Sequence, residues 1–94
     1  MAGQIEFDWD AENITHLAAH RVTPAEFEQV MYNDPADRSC EVINDEERYR
    51  SVGLTDRGRL LSVIWTVRNE KIRPVTAFAA PAKDKQAFLE EKGQ

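Results

Sequence analysis

The sequence predicts an α+β fold, an antiparallel meander sheet packed against helices in the order β-α-α-β-β-β-β-α. Three observations predict it. Thr23-Pro24-Ala25-Glu26 reads as a helix start that carries its own cap. Residues 60–67, LLSVIWTV, form a run rich in the branched and aromatic residues that strands favour. Two turn-like segments, Thr55-Asp56-Arg57-Gly58 and Arg68-Asn69-Glu70-Lys71, separate apolar runs as hairpin connections do.

Taken in order, residues 5–9 alternate apolar Ile5, Phe7 and Trp9 with acidic Glu6 and Asp8, which predicts a short strand with one buried face. Trp9 then anchors the core, and Asp10 caps a helix over 11–19 whose inward stripe is Ile14, Leu17 and Ala18. The helix announced by Thr23 runs from Pro24 to about Tyr32 with Phe27, Val30 and Met31 inward, and Asn33-Asp34-Pro35 ends it. A weak strand over 41–43, a turn at Asn44-Asp45-Glu46, and strands over 48–54, 60–67 and 72–78 follow. Pro81 opens a last helix reaching about Glu91, with Phe88 and Leu89 as its apolar contacts.

All 94 residues are read as one domain, 1–94, near the lower end of the usual size range. A core this small is marginal, which leaves room for burial against a partner, a second copy of the chain included. The longest uncharged apolar run has eight residues and contains Ser62 and Thr66, too short for a bilayer. The opening MAGQIEFDWD has neither the basic region nor the apolar core of a secretory signal, and the single Cys40 has no intramolecular partner. Both point to the cytoplasm.

Charge is divided unevenly. Residues 1–47 hold twelve Asp and Glu against two Arg, a net of −10; residues 48–94 hold ten Lys and Arg against five acids, a net of +5, giving −5 overall. Six of the eight arginines lie within 48–78, so the sheet can present a positive field inside an acidic molecule. Alternation puts Arg48, Arg50, Ser62 and Thr66 on one polar face, and Arg73 on a face with Val75 and Ala77, away from Thr76. Arginine forks grip phosphate oxygens in pairs, and Trp65 or Tyr49 offers a ring on which a base stacks. The plainer alternative is that these arginines solvate an outer sheet face and pair with helix acids.

His16 and His20 lie one helical turn apart on one face. With Asp10 or Glu12 they make only a partial metal site, and no third firm ligand follows, so no metal is assigned. A histidine can instead move protons in RNA cleavage, or simply pack at the helix end. There is no glycine-rich phosphate loop, zinc spacing or nucleophile elbow, and no cofactor is expected. Cys40 reads as an ordinary thiol.

Phe7, Trp9, Asp10, His20, Val22, Thr23 and Glu26, then Glu47, Arg48, Tyr49 and Gly53, carry a resemblance to the BrnT family of toxins. It continues through Gly58-Arg59-Leu60-Leu61, Thr66, Arg68 and Arg73, and spans about residues 5–90. The resemblance implies a RelE/ParE-like fold and an endoribonuclease that inhibits translation and uses no metal. It also implies a small antitoxin that neutralises the toxin and reaches operator DNA on its behalf. Carried over residue by residue, it assigns catalysis to His20, Arg48, Arg68 and Arg73, with His20 transferring protons. Arg50, Arg59, Thr66 and Trp65 are read as RNA- or phosphate-binding. The last strand departs from the family pattern: Pro74 interrupts it and Phe78 stands where relatives carry a second arginine. Ala19-His20-Arg21 replaces the familiar Lys-His-Gly. Phe78 and the acidic first half motivate the other reading, a non-catalytic module of the same fold that binds an antitoxin-like or acidic partner. Direct DNA binding is disfavoured by the net charge and by the want of a basic recognition helix.

Overall fold

The structure is a computed structural model and describes residues 5–92. Residues 1–4 and 93–94, the ends of the predicted domain and part of the opening segment, lie outside the described residues. Three helices and four strands follow one another as α1 (Ala11–Ala19), α2 (Pro24–Tyr32), β1 (Ala36–Ile43), β2 (Glu46–Leu54), β3 (Leu60–Arg68), β4 (Lys71–Ala79) and α3 (Ala82–Lys92). The strands form one antiparallel sheet in the order β1-β2-β3-β4, each beside its neighbour in the chain.

The connections are as tight as their residues allow. Asn44 and Asp45, and again Asn69 and Glu70, both take positive φ between paired residues, the two-residue turn whose twist matches that of the flanking strands. Gly58, with φ of 84°, turns β2 into β3 and donates its N–H to the Thr55 carbonyl at 2.9 Å.

The strand expected over residues 5–9 is not there as a strand. It survives as one parallel bridge between Phe7 and Ile72. Asp8 N–H donates to the Ile72 carbonyl at 2.8 Å and Ile72 N–H to the Glu6 carbonyl at 2.9 Å. The next rung needs an N–H from residue 74, which is proline. The buried Asn13 takes over instead: its amide donates to the Asp8 carbonyl and its oxygen accepts from Asp10 N–H, both at 2.9 Å. The chain therefore leaves the sheet edge and enters α1, whose cap is the reciprocal pair of Asp10 and Asn13. This makes Asn13 and Leu17 the inward residues of α1, while the predicted Ile14 and Ala18 face solvent.

α1 ends in a tight reversal: Val22 N–H bonds the Leu17 carbonyl at 3.0 Å and Arg21 N–H the Ala18 carbonyl at 2.9 Å. Arg21 has φ of 60°, a left-handed conformation that a side chain resists and glycine accepts. Arg21→Gly is expected to stabilise the fold by up to about 1 kcal/mol, read as a higher urea midpoint at unchanged slope.

The two sheet faces carry different loads. On one, Leu17, Phe27 and Val30 from the first two helices and Val22 between them bury Leu61, Val63 and Ala77, with Phe7, Trp9, Met31, Trp65 and Ile72 packed around them. Gly53 lets α2 approach here: a side-chain carbon at that position would lie 3.0 Å from Val30 Cγ1 and 3.1 Å from Pro35 Cβ. On the other face α3 covers one end only, burying Phe88 against Ala36 and Val52. Leu89, the other expected contact, is exposed. Asp84, buried at the start of α3, is held at 2.6 Å by Arg50. The rest of this face is open, and the arginines lie there.

Candidate active site

A bulge composes the site. Ile64 pairs with Thr76 and Trp65 with Pro74, so Val75 is an extra residue in β4. The bulge reverses the alternation of side chains at that point. Arg73, expected beside Val75 and Ala77, instead lies opposite Thr66, on the same face as Thr76 opposite Ile64. The register of β2 on β3 places Arg48 and Arg50 on that face with Ser62 and Thr66, as their spacing predicts.

Part of this face lines a cavity of about 240 Å³. β2 supplies Arg48 and Glu46, β3 supplies Thr66 and Arg68, and β4 supplies Arg73, Pro74 and Val75. α1, lying along β4, closes one side with Glu12, Asn13 and His16. The His16 Nδ1 atom stands 3.4 Å from the Val75 carbonyl, at the bulge itself. Thr66 Oγ1 donates to the Glu47 carbonyl at 2.6 Å, which fixes the floor.

Each guanidinium has a carboxylate against it. Glu46 bridges two of them, at 3.0 Å from Arg68 and 3.4 Å from Arg48. Arg73 is held by Asp10 at 2.7 Å, Asp8 at 3.5 Å and Glu12 at 3.7 Å. The hydrogen bond from Arg68, followed by that from Arg48, keeps the Glu46 carboxyl below its ordinary range against the opposing effect of burial. The Asn13 backbone N–H and then Arg73 do the same for Asp10, while Asp10 raises the Arg73 guanidinium in return. Away from the cavity, Glu26 is lowered first by the Thr23 backbone N–H and then by Arg59.

These three carboxyls have folded pKa values below their unfolded ones, so in acid the unfolded chain binds more protons. Their contribution to stability is complete above the ordinary carboxylate range, near pH 4, and is lost as pH falls through the lowered values. Thermal melts are expected to fall below about pH 4. Glu46→Gln with Glu26→Gln should flatten that slope; an unaltered slope would show that the carboxyls responsible lie elsewhere.

The other nominated residues lie apart from the cavity. His20 caps α1 and its ring rests against Phe78 at 5.8 Å, so the histidine that reaches the arginines is His16, four residues earlier. Trp65 is on the opposite sheet face, stacked on Tyr49 at 4.6 Å with its Nε1 donating to Ser51 Oγ at 3.2 Å, and so does not share the arginine platform. Arg59 sits at the far end of β3 from Arg68, about 30 Å along the strand, where it bonds the Arg21 carbonyl at 2.8 Å and Glu26 at 3.2 Å. Arg50 shares the platform but is committed to Asp84 and Ser62. The pairing of Arg73 with Glu12 and of Arg50 with Asp84 is the arginine–helix acid pairing that the plainer alternative expects, whereas Glu46 lies on β2. Pro74 is the sequence signal for the bulge that turns Arg73 to this face, since a proline inside a strand marks an edge or a bulge.

Chemically, three guanidinia, a hydroxyl and an imidazole converge on one concavity with the carboxylates of Glu12 and Glu46. Guanidinia released from those acids can grip a phosphodiester and neutralise charge that builds on it. Among the described residues, no three or more His, Cys, Asp or Glu gather as a metal site, and no helix is long and apolar enough to cross a membrane. Comparison with curated proteins finds no match. A family model described as the ribonuclease toxin BrnT of type II toxin-antitoxin systems matches residues 9–84, a span that takes in α1 to β4 and every arginine of the cavity. With most of its length matched, the chain belongs to the BrnT family of type II toxin-antitoxin ribonuclease toxins.

Proposed function

We propose that this protein is a metal-independent endoribonuclease that inhibits translation by cutting RNA, with Arg48, Arg68 and Arg73 acting on the scissile phosphate. The gathering of these three arginines with Thr66 and His16 in one cavity carries the reading. Arg48 and Arg68 bind the phosphate once Glu46 gives way, and Arg73, anchored by acids of the α1 entry, steadies negative charge in the transition state. His16 is the cavity's proton carrier, a task suited to imidazole near neutral pH. The α-α-β-β-β-β-α order and the antiparallel meander support a RelE/ParE-like assignment. Family membership implies an antitoxin partner and an RNA target. In this reading the antitoxin is small, neutralises the toxin by covering the arginine face, and alone contacts operator DNA.

One observation favours a second reading, a binding module without catalysis: every arginine of the cavity is engaged by the chain's own carboxylates, and Phe78 lies against His20. Purified protein incubated with total RNA in excess chelator separates the two. Cleavage that persists with chelator and is lost in Arg48→Ala, Arg68→Ala supports the enzyme. Intact RNA at high protein concentration leaves the module.

A further inference from the structure

The arginine cavity does not end at Arg48. A second cavity of about 180 Å³ opens on the same sheet face and shares Arg48 and Val75 with the first. Ile43, Ile64 and Val75 give it apolar lining, and Ser39, Glu41, Arg48, Arg50 and Thr76 give it polar lining. We propose that this second cavity seats one nucleobase of the RNA strand whose phosphate lies among Arg48, Arg68 and Arg73. The inference rests on the phosphate reading above and adds where the strand's neighbouring base goes.

Three features favour a base over other occupants. Single-stranded RNA is recognised through unstacked bases laid on apolar surfaces and guanidinium planes, and the second cavity offers both. Arg48 borders both cavities, so a phosphate and the base attached to it can be engaged at once. Arg50 is also already fixed, at 2.6 Å from Asp84 and 3.3 Å from Ser62, so it loses little freedom when a ring settles against it. The same Arg50–Asp84 contact ties Arg50 to the start of α3.

The test is calorimetric titration of the whole protein, at fixed low salt with chelator, against ribose 5-phosphate, adenosine 5′-monophosphate and cytidine 5′-monophosphate. At least one nucleotide is expected to bind about five- to a hundredfold tighter than ribose 5-phosphate, the gain typical of one stacked base. Ile64→Ser should erase most of that gain while ribose 5-phosphate binds as before. Ile43→Ser provides the same test at a strand end where the side chain is 38% exposed. Equal affinity for sugar phosphate and nucleotides overturns the base site and leaves the phosphate site standing. A gain that survives both substitutions places the base elsewhere and also overturns it. If ribose 5-phosphate and the nucleotides all fail to bind, the phosphate reading falls and this inference falls with it.

Discussion

Arg68→Ala is expected to lower RNA cleavage by about 10²–10³, the loss that follows when one preorganised donor to a developing negative charge is removed. The argument depends on the residue's small structural role. Arg68 is half exposed, and its one described ion pair is with Glu46 at 3.0 Å. An exposed pair of this kind contributes about 0–1 kcal/mol, so the variant should melt close to the parent. Arg48→Ala should behave alike. The double variant should lose less than the product of the two single losses, because both side chains act on one group through the same Glu46. Initial rates on a defined oligonucleotide, with a thermal melt of each variant, check this. A tenfold or smaller loss in Arg68→Ala with the fold intact would place the reacting phosphate outside this cavity.

Phe27→Ala should be the costliest single change to the scaffold, about 3–5 kcal/mol. Phe27 is fully buried on α2, and its ring meets Trp9 edge-on at 5.7 Å and Phe7 at 6.4 Å. Its removal opens a void beneath the segment that leads into α1, so the neighbouring aromatics lose both transfer energy and contacts. A small domain holds about 5–15 kcal/mol in total, so the variant is left near its limit, with a melting point lower by about 12–40 °C. Urea unfolding reads the loss directly. A cost under about 1 kcal/mol would mean that Phe7 and Trp9 collapse into the space.

The elements legible in the sequence are those whose signals are local. The Thr23–Glu26 cap and the branched run of β3 need no distant partner to be recognised and appear where expected, and the turns expected at 44–46 and 68–71 appear there tightened to Asn44-Asp45 and Asn69-Glu70. The misread elements depend on distant partners. Residues 5–9 carry an alternating pattern, yet whether they pair along β4 is settled by Pro74, more than sixty positions away. β1 runs from Ala36, well before the predicted start, because its backbone pairs with β2 although nearly all its side chains are exposed and show no apolar period. The face of Arg73 turned on one extra residue, the slip to which strand alternation is most sensitive. His20 and His16 were indistinguishable by spacing. Only the docking of α1 along β4 brings one of them to the arginines and leaves the other against Phe78.

The meander has a consequence for the order in which the molecule assembles. Each strand pairs with its neighbour in the chain, so all three hairpins close short loops. The contact of α1 with β4 is of another kind, since it joins residues near positions 16 and 75 and closes almost two-thirds of the chain. Loop entropy makes such a closure late and slow compared with hairpin formation. The arginine cavity has α1 as one wall and the sheet as the other. A half-folded chain is therefore expected to carry the sheet before it carries the cavity.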